Sequence, residues 1–513
     1  MRTTANQLAT SLSARSPNHA LHAIAWITVA FLAFAMLSPV ILLEGMSLDG
    51  ITYAAIARNM AEGLGSFWKP AYTATLLPEF FEQPPLAIGL QSLAFRVVGD
   101  QWWLERLYSV LTAIPTAVFV ALIWRQVFRQ TESVKQFAWL PIVLWILMPS
   151  WFWIYRHNFL ENTLTVFTTA AVYAILRACE SSKRSWVWAT LAGLAIVAAV
   201  GSKGPVGLFP LATPLLAQLT LRCCAPRRFA GVQVVLLTVL AIALGLVLAN
   251  PPAREFLTRY FHQQIVDSLQ GQRETNDSPV GRFQLVVDLC WDLGLSFAVA
   301  FLVRWPVRRQ VTLLGADEVR PATRFFLLSA LSASLPIMIS PKQSAYYAAA
   351  SWPLYCLALA AWCAPAAESV ARAASAKFAL ERFFTLTWRA AAVLALLITA
   401  GAPLWWKHPL RDGELMADVD RLAQIVGEHQ TIAVGPELQR EWSLQAYLFR
   451  RHYISVAVAG VCQFRLEAAE VPPATSDPSV AAGLSQFRLY RLAGSKPAPS
   501  PLVPAWAATH AER

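Results

Sequence analysis

Eleven apolar runs divide the chain, at about 21–43, 105–124, 137–154, 162–177, 186–202, 204–221, 229–250, 284–303, 325–340, 345–362 and 388–406. No other feature restricts the fold so strongly. A stretch of roughly 20 apolar residues, wound as a helix, matches the hydrocarbon thickness of a bilayer. A helix also satisfies its own backbone polar groups there. Only 14% of residues are charged, against about 25% in soluble domains. The expectation is an all-α polytopic membrane protein with about 11 transmembrane helices. The formal charge of +11 does not indicate nucleic acid. The basic residues sit at the ends of apolar runs, where they set topology. The first run exceeds the roughly 7–15 residues of a signal-peptide core, so it is read as a span. The seven cysteines lie in or beside membrane runs, except for Cys462, so no disulfide framework or metal-ligand spacing is expected.

With a cytoplasmic N-terminus, the inner loops hold Arg125, Arg129 and Lys135, then Lys183 and Arg184, Arg227 and Arg228, Arg304 to Arg324, and Arg372 to Arg389. Every loop then obeys the positive-inside rule. The expected divisions are a transmembrane domain over 1–406 with a large outer loop at 44–104, an extracytoplasmic α/β domain over 407–495, and a disordered Ala/Pro-rich tail over 496–513. In the C-terminal part, helices are read at Leu415–Glu428 and Glu441–Arg451, with strands at Thr431–Val434, Tyr453–Val458 and Phe487–Leu492. The segment Leu48 to Met60, LDGITYAAIARNM, is read as a helix lying flat at the outer face, with its apolar side against lipid or the bundle.

Ionisable residues near bilayer depth are costly and point to function. Several gather at the outer ends of runs. These are Asp49, Glu161 in RHNFLENTLT, Lys203 in GSKGPVGLFP, His262 and Arg273 in the loop after the seventh run, and Lys342 with Tyr346 and Tyr347 in SPKQSAYY. Singly, each has a plainer reading. Asp49 and Glu161 suit helix N-caps, and Lys203 and Lys342 suit snorkelling at an interface. His262 suits a surface position, and Trp102, Trp103, Trp151 and Trp153 an interfacial belt. Together on one side they describe a phosphate site beside a carboxylate. Cations near exposed backbone amides suit an anionic head group, and a nearby carboxylate suits proton transfer.

LDGITYAAIARNM, FEQPPLAIGLQSLAF and ERLYS, followed in order by RHNFLENTLT, SKGPVGLFP and PKQSAYYAAASWPL, resemble bacterial membrane glycosyltransferases of the GT-C fold. The group resembled is that of protein O-mannosyltransferases and ArnT-like lipid A aminoarabinose transferases, over about residues 40–355. The resemblance implies a polyprenyl-phosphate-linked sugar donor, a lipid, glycan or protein acceptor, and action at the outer face of the cell inner membrane. It implies Asp49 as the catalytic acid position and Glu161 as the second acidic one. It places Lys203, Lys342, Arg58, Arg273 and Tyr347 on the donor phosphate side. Glu82 and His262 match positions that hold a divalent metal in some members. The sequence departs from the group's pattern at Gly50, where a second acid often follows the first, and at Gln83, where a lysine often stands. The alternative reading is a polytopic transporter or flippase. It fits less well, because the ionisable groups lie at one interface and no inverted repeat is seen.

Overall fold

The structure, a computed structural model, describes residues 17–181, 183–267, 270, 280–307, 316–377, 380–458, 462–472, 480 and 483–492. The eleven apolar runs fall on helices. Seven of these are long and apolar enough to cross a membrane, or eight if one bent pair counts as a span. The principal helices are α1 (Pro17–Ile41), α2 (Leu48–Ala61), α3 (Leu86–Val98), α4 (Leu104–Val127), α5 (Pro149–Arg156), α6 (Leu160–Glu180), α7 (Ser185–Lys203), α8 (Pro226–Ala249), α9 (Pro251–Tyr260), α10 (Gln284–Arg304), α11 (Ala316–Ser334), α12 (Trp352–Lys377) and α13 (Leu380–Ala400).

The four other runs depart from the expected spans for physical reasons. At 137–154 the helix bends by 76°. Met148 is extended there, at φ −73° and ψ 127°, as the residue before a proline tends to be. At 204–221 the left-handed Gly204, followed by Pro205, Pro210 and Pro214, leaves only the shorter helix Pro205–Thr220. The α6 helix buries Glu161, Asn162 and four threonines inside the bundle, so it is central yet too polar to pass as a span. At 388–406 the apolar helix stops at Ala400 and a short turn of helix, Ala402–Trp405, follows. The bundle core is aromatic-rich, with Trp124, Trp145, Trp151 and Trp352 at 2% exposure or less.

The C-terminal part holds α14 (Gly413–Val426) and α15 (Trp442–His452). Its sheet comprises β1 (Thr431–Val434), β2 (Ser455–Ala457), β3 (Phe464–Ala468) and β4 (Phe487–Arg491) in the order β2-β1-β3-β4. Strand β1 runs parallel to β2 and β3, and β3 pairs antiparallel with β4. The sequence reading lacked β3, whose FRLEA and following Ala-Glu are good helix formers. Pairing on both sides overrides that propensity. Residues 496–513 lie outside the described residues.

This part shares a core with the first loop. Met46 and Ile51 pack in one cluster with Val419, Leu422, Leu444 and Leu448. The end of α1 is also joined to the segment that follows α13 and the short helix Ala402–Trp405. Leu43–Glu44 pairs in parallel with His408–Pro409, and the Lys407 amide donates to the Leu42 carbonyl at 2.8 Å. Of the two settings expected for the apolar side of α2, lipid or protein, the structure has protein. Gly50, Ile51 and residues 53–60 are all buried, between α3 and α15.

Candidate functional site

Four chain segments bring polar groups to one end of the bundle: the start of α2, the start of α6, the end of α7, and the 3-10 turn Ala345–Ser351. Asp49 lies in the first turn of α2 but makes no capping bond. Instead the Tyr346 hydroxyl donates to its Oδ2 at 3.2 Å. Glu161 likewise caps nothing. It forms an ion pair with Lys203, Nζ to Oε1 at 3.1 Å, with the two side chains 1% and 10% exposed. The Lys203 ammonium also stands 5.8 Å from the ring centres of both Tyr53 and Tyr347. The Tyr346 and Tyr347 rings meet edge to face at 4.9 Å, which closes a circuit from Asp49 round to Lys203.

Tyr53 sits at the centre. Burial, and then the negative charges of Asp49 and Glu161, push its phenol well above the ordinary range, so it stays protonated and able to donate. Two acceptor positions remain open among the described residues. Asp49 has a bond only at Oδ2, and Glu161 Oε2 is buried without a hydrogen-bond partner. An ammonium carries three donors, and Glu161 takes at most one of those on Lys203. The arrangement can accept a proton at Asp49, hold a hydroxyl at Glu161 and place positive charge on an anion.

The backbone around Asp49 is fixed by α5. His157 Nδ1 accepts the Ser47 amide at 3.0 Å, so the ring proton sits on Nε2. Burial, then Arg156, Arg411 and Arg106, push this imidazole down to about 3. The unfolded chain then binds more protons than the folded one between pH ~6.5 and ~3. Stability contributed by neutral His157 is complete above pH ~6.5 and falls as pH drops through that window, by up to ~1.4 kcal/mol per pH unit. In His157→Gln, acid melting curves recorded from pH 7 to 4 are expected to flatten relative to wild type.

Gly50 explains one departure from the family pattern. A Cβ at this position would lie 1.8 Å from the His157 carbonyl oxygen, and the Gly50 carbonyl accepts from Asn158 Nδ2 at 3.2 Å. No second acid fits beside Asp49 without moving α5 away. Gly50→Ala is expected to cost about 3 kcal/mol or more through overpacking, measured as lost thermal stability in detergent.

The other expected site residues divide. Tyr347 joins the cluster, and Tyr346, named in the sequence beside Lys342 but given no role of its own, contacts the acid directly. Tyr53 shares a helical face of LDGITYAAIARNM with Ile56, Ala57 and Met60, and carries no charge that would mark it as a site residue. Lys342 belongs to the turn leading into Tyr346, with its carbonyl accepting from Ser340 Oγ at 3.2 Å. Arg58 does not join them. It is 0% exposed and donates to the Arg450 and Phe449 carbonyls at 2.8 and 3.2 Å. Its guanidinium stands 3.5 Å from the Tyr453 ring centre, so it clamps α2 to the C-terminal part instead of facing a phosphate. Arg273 lies outside the described residues. The segments carrying Glu82 and His262 do pack together, Phe81 on Phe256 at 5.5 Å. However, among the described residues no group of three or more His, Cys, Asp or Glu is arranged so that it could hold a metal ion. Glu82 and His262 alone supply too few ligands for a divalent ion.

The model of the dolichyl-phosphate-mannose-protein mannosyltransferase family matches residues 82–251. No curated protein matches the chain by sequence. The crystal structure of ArnT from Cupriavidus metallidurans bound to undecaprenyl phosphate superposes with a TM-score of 0.62 at 15% identity, covering 91% of this chain and 98% of that one. The chain has the GT-C fold of ArnT. The apo form of the same ArnT gives a TM-score of 0.61 at 15% identity, over 90% of this chain and 97% of that one. An oligosaccharyltransferase of Archaeoglobus fulgidus, solved with Zn and sulfate, aligns at a TM-score of 0.42 and 14% identity, over 85% of this chain and 68% of that one. The ArnT-like architecture extends across nearly the whole chain. The match to the mannosyltransferase family model takes in Glu161 and Lys203 but not Asp49.

Proposed function

We propose that the chain is a glycosyltransferase that moves a sugar from a polyprenyl-phosphate donor to a lipid, glycan or protein acceptor. The observation that carries this reading is the convergence of Asp49, Tyr346, Tyr347, Tyr53, Glu161 and Lys203 from four separate segments. The fold shared with ArnT and the match to the mannosyltransferase family model support the same class. With a hydroxyl acceptor, its oxygen bonds to the anomeric carbon while the bond from that carbon to the donor phosphate oxygen breaks. The hydroxyl proton passes to the open Asp49 oxygen. The polyprenyl phosphate departs as a dianion, next to the Lys203 ammonium. Glu161 Oε2 holds a sugar hydroxyl. With a phosphate acceptor, already anionic, Asp49 orients the sugar instead.

The placement at the outer face of the cell inner membrane, facing the periplasm, rests on the distribution of Lys and Arg among the loops. The division at residue 406, with an extracytoplasmic α/β domain following it, is part of the same proposal. No metal-dependent step is assigned, since Glu82 and His262 lack companions among the described residues. Mass spectrometry of lipid that copurifies with the protein tests the donor class. A polyprenyl phosphate or its glycosylated form is the expected species. Enrichment of ordinary phospholipids alone, even after incubation with an added polyprenyl-phosphate sugar, would count against the reading.

A further inference from the structure

Helix α2 has a second polar neighbourhood on the side away from Asp49. Met46 and Ile51 border a cavity of about 300 Å³ between the first loop, the start of α4 and the C-terminal part. None of the Asp49–Lys203 cluster lines it. Most of its charges are already matched. Arg450 pairs with Asp100 at 2.9 Å and Glu105 at 3.0 Å. Arg451 pairs with Asp420 at 2.7 Å and with Glu44 Oε2 at 3.2 Å.

Three groups in the lining keep unused binding capacity among the described residues. Arg106 is 4% exposed and reaches only carbonyls, those of Gly45 at 3.1 Å and Trp102 at 3.5 Å. Lys407 has the Trp102 ring at 5.7 Å and no carboxylate. Glu44 is 8% exposed, and its Oε1 has no hydrogen-bond partner. Glu105 and Glu44 attract Arg106 without an ion-pair contact, and a buried cation with no anion in contact and a buried acceptor oxygen without a donor are both expensive. One molecule carrying a phosphate and, a few atoms away, a hydrogen-bond donor would satisfy all three.

The cavity also stands where such a molecule is plentiful. The Trp102 and Trp406 rings meet edge to face at 5.3 Å, and the apolar helices Leu104–Val127 and Phe384–Ala400 begin or end beside them. Paired tryptophans and a lysine at the ends of apolar helices mark the headgroup level of a bilayer. We propose that this cavity binds a phosphate ester bearing an ammonium or hydroxyl group, its phosphate on Arg106 and Lys407 and its donor on Glu44 Oε1. The tryptophan pair points to a lipid headgroup of the phosphoethanolamine or phosphoglycerol kind as the source. Such a ligand would bridge the first loop and the C-terminal part.

The test uses the full chain in detergent, titrated with phosphatidylethanolamine, phosphatidylglycerol and phosphatidylcholine of matched acyl chains, and read by native mass spectrometry. Phosphatidylcholine offers a phosphate but no donor. Retention of either of the first two about tenfold above phosphatidylcholine is expected, as one charge-assisted contact would give. Lys407→Gln, at an exposed position outside the packed core, should lower that retention several-fold while the protein remains folded. Glu44→Gln should remove the preference over phosphatidylcholine. Free phosphoethanolamine and glycerol phosphate form the second arm. Displacement of the lipid by either, or a rise in Tm without lipid that Lys407→Gln abolishes, supports the site with a soluble occupant. Equal retention of the three lipids in wild type, with no response to the soluble esters, would overturn the proposal. So would binding that Lys407→Gln leaves unchanged.

Discussion

Asp49→Asn is expected to lower the rate of sugar transfer to a hydroxyl acceptor by ~10²–10⁴-fold, the usual contribution of a positioned general base. Asparagine keeps the size of the side chain and an oxygen able to accept from Tyr346, whose hydroxyl now reaches Asp49 Oδ2 at 3.2 Å. It removes only the capacity to take a proton. The fall should therefore appear in kcat, with donor KM little changed and the melting temperature preserved. Tyr346→Phe should show a smaller loss of the same kind, since it frees the carboxylate to rotate without removing it. If the acceptor is a phosphate, the Asp49→Asn loss shrinks. Full activity of Asp49→Asn with every acceptor tried would take Asp49 out of the mechanism.

The second large effect concerns the ion pair between Glu161 and Lys203, separated by 3.1 Å with side chains 1% and 10% exposed. Lys203→Met leaves a buried carboxylate without its partner, and should cost about 3–5 kcal/mol of stability as well as activity. Glu161→Gln leaves the ammonium unpaired, with a cost of the same sign. The double variant removes both charges, so most of the lost stability should return. Transfer should not return with it, because the donor phosphate would lack its cation. A double variant that recovers stability and transfer together would make the pair structural only. Measuring both readouts on all three variants separates folding from chemistry.

Much of the bundle was legible because apolar length is read directly from sequence. The runs that misled were those where local chemistry overrides length. Pro149 bends one span, and Gly204 with three prolines shortens another. The run at 162–177, by contrast, falls on the central helix α6 despite its buried threonines. Asp49, Glu161 and Lys203 were legible as a set because each charge stands at the end of an apolar run on the same side. Tyr53 was not, because an aromatic on an apolar helical face reads as core until a carboxylate is seen beside it. Arg58 misled for the opposite reason. A charge on a helix beside the site looks like a ligand for phosphate. Only the three-dimensional contact with Phe449, Arg450 and Tyr453 shows that it fastens the C-terminal part to α2. No sequence pattern announces an interface between segments nearly four hundred residues apart.

That fastening bears on function. Met46 and Ile51 flank Asp49 and lie in the core of the C-terminal part, while His157 holds the Ser47 amide from α5. The position of Asp49 is thus set jointly by the bundle and by residues beyond 406. Preorganisation of this kind is what a charge-transfer step requires, since small displacements of a base are costly in rate.

The central claim is that Asp49 and the Glu161–Lys203 pair form one site for transfer from a polyprenyl phosphate. The most direct measurement follows purified protein in sealed vesicles supplied with a polyprenyl-phosphate sugar and an acceptor-containing lipid extract, with donor and product quantified by mass spectrometry. One polyprenyl phosphate released for each sugar transferred, with both formed ~10²–10⁴-fold more slowly by Asp49→Asn when the acceptor is a hydroxyl, is the expected result. A donor that crosses the bilayer with its sugar still attached would contradict the claim.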